Sequence, residues 1–253
     1  SGLLKQGCAT SQIDVVEPSA EARERLKSNL NIAAQAHAGP FLSSANIVIW
    51  AVKPQFFKDA ALPTRFFTRD ALHISVAAGI PSDSIAKWLG NERVIRTMPN
   101  TPALIGKGIT GLFARAAVTE TDRQQAERIV SGMGRYLWLQ DESQLDAVTA
   151  LSGSGPAYMF YLMEAMTTAG AEMGLTREQA YQLAVATFIG TGELAQSSHE
   201  PPEILRQRVT SKGGTTHAAI VSMDENHVKD LFARAIRAAH RRAREIGAEF
   251  GEA

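Results

Sequence analysis

The stretch Val209-Thr210-Ser211-Lys212-Gly213-Gly214-Thr215-Thr216 gathers turn-forming and hydroxyl-bearing residues in consecutive positions. Adjacent glycines free the backbone to turn its N–H groups inward, and the hydroxyls of Ser211, Thr215 and Thr216 add donors. Such a nest suits a carboxylate. The same residues could also be a plain helix start capped by Thr215 or Thr216. Leu151-Ser152-Gly153-Ser154-Gly155-Pro156-Ala157-Tyr158 is a small-residue turn opening a helix, or an interdomain hinge with Pro156 in the first helical turn. Three more loops, Ala51-Val52-Lys53-Pro54, Ala77-Ala78-Gly79 and Met98-Pro99-Asn100-Thr101-Pro102-Ala103, each follow an apolar run. Small side chains there leave room for a flat ring; Lys53 offers a cation, and Asn100 can both donate and accept. Any one of these loops could be an ordinary turn, so their order carries more than each alone.

Other residue types narrow the chemistry. The six histidines, His37, His73, His199, His217, His227 and His240, show no metal-ligand spacing, so no metal is expected. His217 adjoins the hydroxyl pair but needs no catalytic role. Cys8 is the single cysteine, so no intrachain disulfide can form, which suits a reducing compartment. No sequence neighbour would activate its thiol. Lys+Arg and Asp+Glu both number 26, giving zero formal net charge, whereas a nucleic-acid binder usually carries a basic excess. The longest apolar runs, such as Ile47 to Val52, fall far short of the ~20 residues of a membrane span. No signal-peptide pattern opens the sequence, and the cytoplasm is the expected compartment.

Positioning these loops requires a scaffold, and the sequence supplies two kinds. With 253 residues, 45% of them hydrophobic, the chain can build one large or two medium domains with a real core. Ile13–Val16, Ile47–Val52, Ile74–Val76, Val94–Ile95, Ile109–Ala114 and Tyr136–Leu139 are the predicted strands. Ser19 is the predicted N-cap of a helix through about Asn29, Pro81-Ser82 opens another, and a third spans about Thr121 to Met133. Continuous β-favouring runs suit strands buried on both faces of a parallel sheet. Strands separated by helices imply βαβ units and a doubly wound sheet. From about Gln144 the strand signals vanish. Tyr158 to Met173 reads as an apolar helix stopped by Gly174, and Thr176 with Gln179 predicts a capping box for the next. Val228, Leu231, Phe232, Ala235, Ala239, Ala243, Ile246 and Phe250 recur at helical spacing. The expected division is an α/β domain over residues 1–142 and an all-helical domain over 143–253. The long Ala-rich faces could be one monomer's core, but on so small a domain they more often hide against a partner subunit.

A dinucleotide-binding α/β fold starts with a strand, a glycine-rich turn and a helix, whose N–H groups take the pyrophosphate. An acidic residue at the end of the second strand follows ~20 residues on. Here Ile13–Val16 runs into Glu17, so the glycine turn is expected before Ser1, and Ser1–Gly7 reads as the tail of the first helix with Gly7 as its stop. A chain without that turn is expected to bind a dinucleotide poorly and catalyse little. The other reading is that Leu3-Leu4 opens an ordinary domain. Glu17 could accept hydrogen bonds from a ribose 2′-hydroxyl and would repel a 2′-phosphate, which leans towards NAD. It could also be a surface glutamate before the turn proline Pro18.

These residues resemble the pyrroline-5-carboxylate reductase family. Val209 to Ile220, with Pro202 and Leu205 before it and Met223-Asp224 after it, is similar to the family signature. Ala51–Pro54, Ser75–Gly79, Met98–Ala103 and Ser152–Tyr158 resemble further family motifs in order and spacing, and the likeness runs from about Ile13 to the C-terminus. The glycine turn is the departure. The resemblance implies a Rossmann-like N-terminal domain, its first strand and glycine turn missing, and a helical domain that interlocks in a homodimer, often within a larger ring such as a decamer. It implies reduction of 1-pyrroline-5-carboxylate to L-proline, the last step of proline biosynthesis, by NADPH or NADH, with NADPH usually preferred. By the same resemblance, Ser211, Gly213, Gly214, Thr215 and Thr216 hold the substrate carboxylate at the dimer interface. Thr216 is the expected catalytic residue, hydrogen-bonded to the ring nitrogen. Glu17, Ser19, Ala51, Val52, Lys53, Pro54, Ala77, Ala78 and Asn100 are the expected cofactor-binding residues. No strongly placed acid is visible, so the ring binds already protonated or gains its proton from a hydroxyl or water. Glu17 conflicts with NADPH preference, although Ser19 or neighbouring backbone could bind a phosphate.

Two alternatives stand beside this reading. A two-domain dehydrogenase of the β-hydroxyacid type would rely on a catalytic lysine in the helical domain. Lys212 and Lys229 are the only lysines after residue 107, and neither lies in such a motif. A non-catalytic module that binds carboxylates or dimerises is the other, and the missing turn makes it a serious reading for this chain.

Overall fold

In the computed structural model, which describes residues 2–251, every predicted strand forms, several displaced by a residue or two. They are β1 (Val15–Val16), β3 (Ile47–Trp50), β4 (Leu72–Ser75), β5 (Val94–Met98), β6 (Gly108–Ala114) and β7 (Gly134–Trp138), with an unpredicted β2 (Ala34–Gln35). β1 and β2 form a small parallel pair, and the rest form a five-stranded sheet in the order β3-β4-β5-β6-β7. β3, β4 and β5 run parallel, with Ile47 opposite Leu72 and His73 opposite Val94. β6 departs from the expected parallel sheet: it is antiparallel to β5, with Ile95 opposite Ala114. The link from Met98 to Gly108 holds only a short 3₁₀ turn, Thr101–Ile105. A parallel neighbour needs a crossover of about a dozen residues or more, so the chain turns back instead.

Helices cover both faces of the sheet. Those of the first half are α1 (Gly2–Lys5), α2 (Ala20–Leu30), α3 (Pro54–Thr64), α4 (Ser82–Leu89) and α5 (Glu120–Ser131). Trp50, Phe57, Ile80, Ile85, Trp88 and Leu89 pack on one side, and Leu72, Ile74, Ile95, Leu112, Ala126 and Val130 on the other. Phe57 is fully buried, which stabilises by about 1.5–3 kcal/mol relative to an exposed ring. The stop expected at Gly7 is present. Gly7 has φ +89°, the Cys8 N–H donates to the Leu3 carbonyl at 3.1 Å and the Gly7 N–H to the Leu4 carbonyl at 3.1 Å. That pattern satisfies the last carbonyls of a helix; Ser1 lies outside the described residues.

Compactness divides the chain into two units, one made of the residues up to Ser154 together with those from Ala239 on, the other of Gly155–Ala238. Strands end at Trp138, close to the expected boundary at 142, but the first unit extends past that boundary. After α6 (Gln144–Val148) comes a π-helical turn, Thr149–Gly153. Val148 packs so closely on β6 that a Cβ on Gly111 would lie 3.0 Å from its Cγ1. Phe250, near the end of the last helix, α11 (Val228–Gly251), packs on the core cluster around Trp50.

The second unit is helical: α7 (Gly155–Glu172), α8 (Arg177–Ser197), α9 (Pro202–Arg208), α10 (Thr215–Glu225) and the first part of α11. Gly174, at φ +99°, turns α7 into α8, and the predicted capping box forms, with reciprocal Thr176–Gln179 bonds of 3.0 and 3.1 Å. Its apolar faces are mostly uncovered: Phe160 is 60%, Tyr161 72%, Met173 78% and Leu194 57% exposed. Among the described residues no helix is long and apolar enough to cross a membrane.

Candidate functional site

Because β3, β4 and β5 are parallel neighbours, their carboxyl ends face one edge of the sheet. That edge carries Ala51, Val52, Lys53 and Pro54 after β3, Ala77 and Ala78 after β4, and Asn100 after β5. The predicted β3 run stops early, at Trp50, because Pro54 begins α3 at its first position. Ala51 and Lys53 are exposed, Val52, Pro54, Ala78 and Asn100 half-buried, and Ala77 buried. The buried Ser75 hydroxyl oxygen accepts from the Ala77 N–H at 3.2 Å, and Thr97 Oγ1 donates to the Ser75 carbonyl at 3.1 Å. These bonds fix the β4 loop against β5. Asn100 Oδ1 accepts from the Ile109 N–H at 2.9 Å, so its acceptor ties β6 in place and its amide N–H groups are what it can offer a ligand.

The end of β1 carries the remaining candidates. Glu17 Oε1 accepts from the Ser19 N–H at 2.8 Å, and Ser19 Oγ accepts from the Ala22 N–H at 3.3 Å, capping α2 as predicted. Arg23, which sequence reasoning passed over, donates Nη1 to the carbonyls of Glu17 at 2.8 Å and Pro18 at 2.7 Å. The available signal was its position, one turn into a helix whose N-cap is Ser19. A carboxylate, a hydroxyl and a guanidinium thus surround one strand end, and Ala51, Ala77 and Ala78, with Lys53 and Asn100 beside them, line the other three. This set of donors and acceptors fits a nicotinamide dinucleotide, with the polar cluster suited to a ribose or its phosphate and the alanine edge to a flat ring.

In the helical unit, Gly213 has φ +78°, a left-handed conformation that glycine adopts freely. Gly214 is the N-cap of α10, and its N–H donates to the Ser211 carbonyl at 3.0 Å. The alternative of a cap by Thr215 or Thr216 does not form: both lie inside the first turn, and no side chain caps the helix. The first N–H groups of an uncapped helix lack intrahelical partners and carry the positive end of its dipole. A Cβ on Gly214 would lie 2.6 Å from Ser211 Oγ, so glycine keeps that hydroxyl tucked beside the turn. Ser211, Thr215 and Thr216 are exposed and Gly214 half-buried. The structure therefore gathers the expected carboxylate-binding residues around one turn with donors open to a ligand.

Comparison with known proteins shows the family to which the chain belongs. A family profile described as pyrroline-5-carboxylate reductase dimerisation matches residues 142–246. The pyrroline-5-carboxylate reductase of Pseudomonas aeruginosa is 43% identical, over 99% of this chain and 93% of the relative. That of Pisum sativum is 35% identical, over 97% and 90%. The chain belongs to the pyrroline-5-carboxylate reductase family. Among solved structures, the pyrroline-5-carboxylate reductase of Coxiella burnetii superposes with a TM-score of 0.88 at 35% identity, covering 97% of this chain and 92% of the other. The pyrroline carboxylate reductase of Plasmodium falciparum, solved with NADP bound, gives 0.87 at 26% identity, also covering 97% and 92%.

This family member also has a charge cluster behind its β4 and β5 loops that sequence reasoning missed. Arg96 Nη1 donates to Glu142 Oε1 at 2.6 Å, and Glu142 accepts from both the N–H and the hydroxyl of Ser82 at 2.6 Å each. Arg115 donates to Ser82 Oγ at 3.1 Å and to Asp83 and Glu92. Burial pushes the nearby Asp146 carboxyl up, against the opposing pull of Arg96, His240 and Arg244. No sequence spacing announces these partners, because the Arg96–Glu142 pair spans 46 residues and the Ser82–Glu142 pair 60.

Proposed function

We propose that this chain reduces 1-pyrroline-5-carboxylate to L-proline with NADPH or NADH, the closing step of proline biosynthesis, and that the residues gathered above do the work. The uncapped, glycine-opened start of α10 carries the reading, since it offers backbone and hydroxyl donors to a small carboxylate. The N–H groups of Thr215 and Thr216, with the hydroxyls of Ser211 and Thr215, grip the carboxylate. Thr216 Oγ1 hydrogen-bonds the ring nitrogen and holds the proton there, since a protonated imine is the better hydride acceptor. When bound, the dinucleotide supplies the hydride to the imine carbon. Ala77 and Ala78 leave space for its ring, Asn100 donates to its amide end, and Ala51 to Pro54 line the path towards its phosphates. Glu17 and Ser19 take the far ribose.

The assembly we propose is a homodimer through the helical unit, built up in turn to a decamer. An open groove of about 580 Å³ between α7 and α8, lined by Phe160, Met163, Thr167 and Tyr181, supports a covered interface there. The proposed compartment is the cytoplasm, to which the single cysteine is suited.

The test follows nicotinamide absorbance as the protein, supplied with a strand and glycine turn ahead of residue 1, turns over pyrroline-5-carboxylate, with a β-hydroxy acid as the competing substrate. Consumption of reduced cofactor with formation of proline is expected. Faster turnover of the hydroxy acid, or proline binding by calorimetry without dinucleotide binding, would overturn the assignment.

A further inference from the structure

Glu142 joins three parts of the first unit that sequence alone keeps far apart. Its carboxylate takes the Ser82 N–H and hydroxyl at the start of α4, a helix whose N-cap position is Pro81 and which has no capping side chain of its own. A carboxylate there is favoured by the helix dipole. The same Oε1 takes Arg96 of β5. Its own segment leads through α6 to the π-helical turn, where a Cβ on Gly153 would lie 2.7 Å from Met98 Cε at the end of β5. Ser82 lies just beyond the Ala77–Gly79 loop, and Arg96 lies just before the Met98–Asn100 loop. One side chain therefore spans the roots of the two loops.

The pair is badly suited to stability alone. The Arg96 side chain is 7% exposed, and its Nε is buried without a hydrogen-bond partner among the described residues. Burying such a pair costs desolvation that its attraction offsets poorly, and a well-packed apolar pair often does as well or better. What the charges supply that an apolar pair cannot is a fixed direction and distance.

We propose that Glu142 is a positioning residue for hydride transfer: by holding Ser82 and Arg96 together it sets the spacing of the β4 and β5 loops that flank the pyridine ring. The proposal rests on reading that edge as the ring's pocket. The test uses Glu142→Gln, which keeps the shape and an oxygen for the Ser82 N–H, with its NH2 turned to donate to Ser82 Oγ, but removes the charge paired with Arg96. The double variant Arg96→Met/Glu142→Gln also relieves the uncompensated buried cation. For Glu142→Gln we expect kcat to fall by about tenfold to a hundredfold, as misplacements of about 1 Å can do, while KM for pyrroline-5-carboxylate stays within about twofold. The double variant should recover the urea midpoint but not kcat. A kcat that recovers together with the midpoint, or that does not fall in Glu142→Gln, overturns the proposal. Ala78→Leu separates this from the reading beneath it. If that variant binds the dinucleotide as well as the parent does, the edge is not the pocket and both fail; if it binds weakly while Glu142→Gln is silent, only the positioning role fails.

Discussion

Gly79 and Gly247 meet backbone to backbone: a Cβ on Gly247 would lie 2.8 Å from the Gly79 carbonyl oxygen, and a Cβ on Gly79 would lie 2.7 Å from Ile246 Cγ2. The end of α11 is thereby seated on the turn that follows β4, and Ser84 Oγ donates to the Gly251 carbonyl to close the contact. Gly247→Ala should force the two backbones apart and lower unfolding free energy by about 1–3 kcal/mol. Gly79→Ala should cost more, because φ is +81° there and strain adds to the overlap. Urea midpoints check both; values equal to the parent's would mean that α11 does not rest on this turn.

His73 makes the core sensitive to acid. It is 1% exposed, and Trp50 Nε1 donates to its Nδ1 at 3.1 Å. Since the indole can only donate, Nδ1 is unprotonated, and Nε2–H donates to the Thr68 carbonyl at 3.2 Å. Burial lowers its pKa from the usual 6.5 to about 4. The unfolded chain therefore binds the proton more readily. The neutral ring's contribution is complete above about pH 6.5 and is lost as pH falls towards 4, reaching roughly 3 kcal/mol at the acid end. Thermal midpoints measured across that window should drop, and His73→Gln should flatten the drop. A slope that survives the substitution would assign it to other groups.

The strand–helix alternation, the Thr176 capping box and the long α11 were legible because each is set by neighbours in sequence. β2 was not, since Ala34-Gln35 has no apolar run and owes its pairing to β1. The reversed β6 is visible only when the short Met98–Gly108 link is weighed against the reach of a crossover. At the candidate site, Gly213, Gly214 and the threonines announce themselves by type. Arg23 and Glu142 do not, because any surface arginine or glutamate looks the same until its distant partners are in place.

Cofactor preference should respond to Glu17. Its carboxylate sits at the end of β1, the position from which dinucleotide folds usually reach the ribose hydroxyls, and Arg23 is held just behind it by two carbonyls. Glu17→Gln keeps an oxygen for the Ser19 N–H while removing the repulsion. The ratio of kcat/KM for NADPH to that for NADH should rise by roughly fivefold, or about 1 kcal/mol for one exposed charge at close range. An unchanged ratio would place the phosphate elsewhere.

Thr216 is exposed, lies inside the first turn of α10 and does not cap it, so its hydroxyl is available to a substrate without a structural duty. Thr216→Ala should lower kcat/KM for pyrroline-5-carboxylate by an amount equal to about 1–3 kcal/mol, the usual cost of losing one buried hydrogen-bond partner. Thr216→Ser should recover most of it, and Thr216→Val, which matches the shape without the hydroxyl, should not. The urea midpoint should stay with the parent's in all three, because an exposed first-turn residue contributes little to packing. If valine and serine were equally active, the hydroxyl would have no part in the reaction, and Thr216 would contribute only its backbone N–H to the carboxylate grip.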